Sequence, residues 1–204
     1  MPLLDDIGAS DGASGGADGA IRVRVATDAD LPAIVELRRS WTEEQLGRRC
    51  DDIGFEGRLG DWLGAEGRLM LLAECSAERA GAECSAERAS AALGMVNLAV
   101  FERMPSPERA DSRWAYLANA YVRPEHRDRG VGAALVEAAV EAARDRGCAR
   151  VVLSPSERSV PLYQRAGFGP ATMLMAQTLQ GAGHRSAAGE VAVRAGDDLL
   201  GTIE

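Results

Sequence analysis

The segment from Arg123 to Leu135, Arg-Pro-Glu-His-Arg-Asp-Arg-Gly-Val-Gly-Ala-Ala-Leu, limits the fold more than any other stretch of the chain. Before it stands Ser112–Val122 (SRWAYLANAYV), a run rich in aromatic and β-branched residues that reads as a long strand. After it, Val131, Leu135, Ala138, Ala139 and Ala142 recur on one helical face, with Glu137, Glu141, Arg144 and Asp145 off that face. The spacing predicts an amphipathic helix of about five turns. Arg144 and Arg146 suit its C-terminal end, and Gly147 is placed to terminate it. The chain thus passes from a strand through a glycine-containing loop into a helix.

That loop has a specific physical use. Gly130 and Gly132 let backbone come close to a bulky ligand. The N–H groups from Asp128 to Ala133 open a helix, so they lack intrahelical acceptors, and the helix dipole makes the spot attractive to phosphate. Arg127 and Arg129 add fork-shaped donors. From 113 to 150 there are seven arginines against five acids, a locally positive stretch on a chain of net charge −8. An anion site follows, with pyrophosphate the best match. A dinucleotide fingerprint fits poorly, because Leu135 occupies the third glycine position. A P-loop is excluded: all 23 basic residues are arginine, and the sequence holds no lysine. The same absence excludes Schiff-base chemistry on the chain.

The rest of the chain arranges itself around this unit. Residues 1–20 are small and acidic and read as a disordered leader; residues 181–204 read as a tail in which Glu190–Arg194 alternates like a short strand. One domain over 21–180 remains. Ile21–Val25 alternates as a strand, and Thr27 with Asp30 forms a variant capping box before a helix over 28–46. Residues 51–66 suggest a weaker, glycine-loosened helix or two short turns. Leu69–Ala73 and Ala92–Phe101 read as strands. Between them AECSAERA occurs twice, at 73–80 and 82–89, a tandem duplication that lengthens a hairpin loop over 73–90.

Composition narrows the partners. No run of 18 apolar residues exists, so no transmembrane helix is expected, and the N-terminus lacks the pattern of a secretory signal. The acid surplus disfavours nucleic acid and anionic membrane and favours a cationic substrate; residues 27–90 alone hold 14 acids and eight arginines. Cys50, Cys75, Cys84 and Cys148 form no CxxC pair and only two histidines exist, so no metal site is expected. Reduced thiols and a cytoplasmic location are the expectation.

The pattern Arg-x-x-Gly-x-Gly from Arg127 to Gly132, after a strand and opening a helix, is followed by a further strand at Ala149–Leu153 (ARVVL) and then by Ser156–Phe168, SERSVPLYQRAGF. With the opening VRVATDADLPAIVELR, these residues resemble the GCN5-related N-acetyltransferase (GNAT) family over about 21–180. The resemblance implies an α/β fold, α+β layered: a mixed, mostly antiparallel sheet with helices on both faces and a V-shaped splay between two parallel strands. It implies acetyl-CoA as co-substrate, no metal, and direct attack of an amine on the thioester. By that correspondence Ala120, Tyr121 and Val122 pair main chain with the pantetheine, and Arg127, Asp128, Arg129, Gly130, Val131, Gly132 and Ala133 hold the pyrophosphate. Ser156 stands where the family often has an asparagine contacting the pantetheine arm, with fewer hydrogen-bonding groups. A departing thiolate of pKa roughly 8.5 gains from a proton or hydrogen bond, and Tyr163 matches the family's general acid. Glu102 is the candidate base, Asn119 could orient a water, and Trp62 with 51–66 falls where the family places its acceptor pocket. The acceptor expected is a small-molecule amine. The alternatives are a protein N-terminus or lysine, or a non-catalytic acyl-CoA sensor; the family resemblance also allows a homodimer.

Overall fold

A computed structural model of the 204-residue chain describes residues 21–75, 92–108, 110, 112–172 and 174–177. Five strands form one sheet in the order β1-β2-β3-β4-β5. They are β1 (Ile21–Val25), β2 (Arg68–Cys75), β3 (Gly94–Glu102), β4 (Arg113–Val122) and β5 (Cys148–Val152). The first four run antiparallel to their neighbours, and β5 runs parallel to β4. The helices are α1 (Leu31–Leu46), α2 (Phe55–Leu63), α3 (Val131–Asp145) and α4 (Val160–Arg165).

Both faces of the sheet are buried, and the strand period of two sorts the side chains between them. Leu71, Ala73, Val96, Leu98, Ala115 and Leu117 pack on Val131, Leu135, Val136 and Ala139 of α3. Met70, Leu72, Met95 and Tyr121 pack on Ile34, Leu37 and Trp41 of α1, with Leu59, Trp62 and Leu63 of α2 at the margin. The apolar stripe read on α3 is therefore its core face, and each buried Val or Leu there contributes about 2 kcal/mol. Gly147, at φ +69°, ends α3 and donates its N–H to the Arg144 carbonyl at 2.9 Å. The Thr27–Asp30 box closes a 3₁₀ turn ahead of α1: Asp30 accepts the Thr27 N–H at 2.7 Å and its hydroxyl at 3.0 Å. Arg24 donates to both oxygens of the same carboxylate, which holds its pKa well below the usual range.

Two irregularities shape the end of the sheet near Val122. In the β3–β4 ladder Met95 faces Tyr121 and Asn97 faces Ala118, so Asn119 and Ala120 together oppose Val96. This is a β-bulge, with Asn119 at φ +52°, a left-handed conformation that asparagine tolerates. In the parallel ladder the last pair is Tyr116 with Val152, where β5 ends, while β4 runs on to Val122. The two strands part there, as the V-shaped splay requires.

The segment 51–66 contains one helix, α2, rather than two turns. β3 begins at Gly94 rather than Ala92, and a Cβ at Gly94 would lie 2.5 Å from the Tyr121 carbonyl oxygen, so only glycine admits β4 so closely. The leader over 1–20, the tail over 181–204 with its strand at Glu190–Arg194, and the duplicated loop from 76 onward lie outside the described residues.

Candidate active site

The loop after β4 is a 3₁₀ turn, Pro124–His126, followed by two left-handed residues, Asp128 at φ +59° and Gly130 at φ +84°. The first bond into α3 runs from the Ala134 N–H to the Gly130 carbonyl at 3.0 Å. The N–H groups of Gly130, Val131, Gly132 and Ala133 consequently have no acceptor within the helix. A Cβ at Gly130 would meet nothing within 4 Å, so the need for glycine there is conformational. A Cβ at Gly132 would touch Leu162 at 3.5 Å and Val122 at 3.9 Å. Position 132 therefore sits where the end of β4, the start of α3 and α4 converge.

The two arginines of the turn are engaged elsewhere, which corrects the role expected for one of them. Arg127 donates to both oxygens of Glu44 on α1, at 2.7 and 2.8 Å, and its Nε donates to the Val122 carbonyl at 3.0 Å. Its guanidinium thus holds the loop to α1 instead of projecting toward a diphosphate; only its backbone remains for that task. Arg123 acts in parallel, donating to Glu36 at 2.7 Å and to the Ala92 carbonyl at 3.0 Å. The Arg127 guanidinium also lies over the Tyr121 ring, with Cζ 5.7 Å from the centroid. Arg127 is the main cause holding the Glu44 carboxyl below its ordinary range, and burial pushes the Tyr121 phenol up. Arg129 is exposed and is the arginine of the motif placed to meet a ligand.

Tyr163 stands on α4, and the chain around it explains the Leu-Tyr…Gly-Phe spacing. Gly167, at φ +87°, donates to the Gln164 carbonyl at 3.0 Å, and Phe168 donates to the Tyr163 carbonyl at 2.9 Å. This is a Schellman closure, and its accompanying apolar contact is Phe168 edge-on to the Tyr163 ring, centroids 5.7 Å apart. The ring is 2% exposed and its hydroxyl is buried with no partner among the described residues. Burial, helped by the nearby Tyr116 phenol, raises its pKa above the ordinary value, so the group stays protonated and can only donate or wait. Ser156 serves the same turn: its hydroxyl donates to Ser159 Oγ at 3.0 Å, and Ser159 donates back to the Ser156 carbonyl at 3.0 Å.

Glu102 is a second correction. Register sets it opposite Arg113, at the other end of β4 from Val122, about 30 Å away at strand rise. It is exposed and bonded to Arg113 Nε at 2.9 Å. It lies far from the start of α3 and is not placed to act as a base there. Asn119, by contrast, donates to Asn97 Oδ1 at 2.6 Å across the bulge. Asn97 is 2% exposed. A lone amide in the apolar run GMVNLAVF was the signal for it. The Glu36 and Glu44 clamps had no local signal, because their partners lie more than 80 residues away.

Among the described residues no three His, Cys, Asp or Glu side chains converge as a metal site, and no helix is long and apolar enough to cross a membrane. What the site offers is a row of N–H groups at a helix start, an open strand edge beside it, and a phenol donor nearby. These fit a long ligand with an extended amide-bearing arm and a diphosphate.

Comparison with known proteins agrees. The chain matches the acetyltransferase (GNAT) family over residues 34–168. A glucosamine 6-phosphate N-acetyltransferase of Trypanosoma brucei brucei is 34% identical over 64 residues, 31% of this chain and 44% of that protein. A thialysine N-ε-acetyltransferase of Bos taurus is 36% identical over 55 residues, 26% of this chain and 32% of that one. The chain thus spans less than half the length of these relatives. Among solved structures, a GCN5-related N-acetyltransferase from Ralstonia eutropha JMP134 superposes with a TM-score of 0.55 at 28% identity, covering 79% of this chain and 99% of that one. An acetyltransferase from Clostridium acetobutylicum, solved with acetyl-CoA, gives 0.57 at 18% identity over 80% and 99%, a likeness of fold.

Proposed function

Because the chain belongs to the acetyltransferase (GNAT) family, we propose that it is an acetyl-CoA-dependent N-acetyltransferase acting on a primary amine of a small molecule. The observation that carries this reading is the pairing of acceptor-less N–H groups from Gly130 to Ala133 with a β4 edge that β5 leaves open beyond Tyr116. The N–H row suits a diphosphate, with the exposed Arg129 alongside. The free edge around Ala120–Val122 suits an extended pantetheine arm, which pairs as a strand would. Acetyl-CoA supplies an activated acyl group when bound. Tyr163 supplies the hydrogen bond that a departing thiolate needs; its raised pKa makes full proton transfer uphill, so stabilisation by a protonated donor is the larger part of its role. Asn119 and Asn97 line the bulge on the α1 side and orient the incoming amine or its water. With Glu102 remote, proton removal from the amine falls to solvent.

A small-molecule acceptor is supported by the names of the relatives, which act on glucosamine 6-phosphate and thialysine. The thiols of Cys50 and Cys148, free among the described residues, suit a reducing, cytoplasmic setting. The test is release of CoA thiol from acetyl-CoA across small amines and, in parallel, peptides with free N-termini or lysines. Turnover on small amines supports the proposal. Turnover confined to peptides overturns the acceptor class, and tight binding without turnover on any amine overturns the enzyme.

A further inference from the structure

On the sheet face covered by α1 and α2 several charges are matched. Glu36 and Glu44 are taken by Arg123 and Arg127, and Asp52 by Arg58. Among the described residues Arg38 has no ion pair, and neither has its neighbour Arg39, whose Nε is buried without a partner. Arg38 is half-buried on α1, and its guanidinium meets no carboxylate or carbonyl among the described residues. It lies over the Trp41 ring, with Cζ 4.3 Å from the centroid. Loss of hydration lowers its pKa, with no anion to offset the effect. Directly beside it is a second unmet donor: Trp41 is 2% exposed and its Nε1–H is buried with no acceptor among the described residues. The π-face compensates part of the cation's lost hydration, but it accepts neither the guanidinium fork nor the indole N–H.

The pair sits close to the chemistry. Trp41 stacks on Tyr121 with centroids 5.9 Å apart, and Tyr121 is the β4 residue that closes the bulge at Asn119. Asn97 lies on this same face, since it pairs with Met70 of the α1-facing core. Two adjacent donors, one of them cationic, are thus held on the α1-facing side of the sheet, next to the β-bulge. Oxygens of one anion would satisfy both.

We propose that Arg38 and Trp41 Nε1 form a subsite for an anionic substituent of the acceptor, a carboxylate or a phosphate carried by the same molecule as the amine. This rests on the N-acetyltransferase reading and narrows it. The acidic surround, 11 acids against six arginines over 27–75, draws the ammonium end, and the subsite selects those amines that also carry an anion. Simple polyamines lack the group it needs.

The experiment uses matched amines over a graded set of spacer lengths, in three arms: carboxylate-bearing (γ-aminobutyrate and homologues), phosphate-bearing (O-phosphoethanolamine and homologues) and their neutral amide or alcohol partners. kcat/KM is measured for each by thiol release at saturating acetyl-CoA. The expected result is a preference of about tenfold or more for one anionic arm over its neutral partner, the size of a charge-assisted contact. The arm that wins identifies the anion. In Arg38→Met that ratio falls toward one, and Trp41→Phe, which keeps the ring stack and removes only the N–H, lowers it as well. The thermal midpoint of Arg38→Met holds or rises, because an uncompensated charge is gone; a merely structural arginine would lower it. Neutral amines used as well as anionic ones by the wild type would overturn the subsite and leave the acetyltransferase standing. So would a ratio that survives both substitutions. Failure of every amine would overturn the parent reading, and this one with it.

Discussion

Replacing Tyr163 by Phe should move stability and turnover in opposite directions. The hydroxyl is buried and bonded to nothing among the described residues, while the ring packs against Phe168 and is 2% exposed. Deleting the oxygen leaves the ring contacts and the Schellman closure intact. An unsatisfied buried hydroxyl costs about 1–3 kcal/mol, so the folded protein should gain roughly 1 kcal/mol on losing it. For a domain of this size that is a rise in Tm of about 2–4 °C. Turnover should fall: a hydrogen bond to a charged thiolate contributes about 2 kcal/mol, which corresponds to roughly thirtyfold in kcat. The affinity for CoA should change by less than about twofold, since a weak contact to the ground-state thioester adds little. The assays are thiol release under saturating substrate, calorimetric titration with CoA, and a thermal melt. A variant that turns over like the wild type would refute the donor role. A variant that melts several degrees lower would refute the claim that the hydroxyl is unmet.

Glu44→Gln should loosen the loop by removing one end of the Arg127 fork, raising KM for acetyl-CoA roughly three- to tenfold with kcat nearly constant; steady-state kinetics at varied acetyl-CoA decide it. Gly130→Ala meets no clash but must hold φ +84°, so a loss of about 1–2 kcal/mol and weaker CoA binding are expected, read by denaturant melts and titration. Glu102→Gln should leave kcat/KM within about twofold at every pH, because the residue lies at the far end of the sheet bonded to Arg113; a lost basic limb in the pH profile would restore it as the base. Asp30→Asn should cost about 2 kcal/mol at neutral pH, through the Arg24 fork. The Asp30 pKa is depressed in the fold, so this stabilisation is present above the ordinary carboxylate pKa of about 3.9 and fades below it. Melts of both proteins should converge as pH falls through that range.

Local pattern made most of the fold legible. The α3 stripe, the β4 run and the glycine loop each depend on neighbours a few residues apart, and each formed within a residue or two of its expected bounds. Tyr163 came from the resemblance of SERSVPLYQRAGF to the family's second signature, and the turn around it is local as well: Gly167 and Phe168 close its helix by bonds within five residues. What escaped was long-range. Arg127 looked like a phosphate ligand until α1 brought Glu44 beside it. Glu102 looked close to the cleft because it follows a strand, yet antiparallel register sends the end of β3 to the start of β4. The unmet donors of Arg38 and Trp41 are properties of packing, and no spacing along one helix reveals that a charge lacks a partner.

Calorimetric titration of CoA into the full chain at low ionic strength probes the backbone cradle most directly. One molecule should bind per chain, with an affinity that weakens as salt is raised, as expected for a diphosphate held by N–H groups and Arg129. Absence of heat and of any thermal stabilisation by CoA would mean that the start of α3 grips no such group.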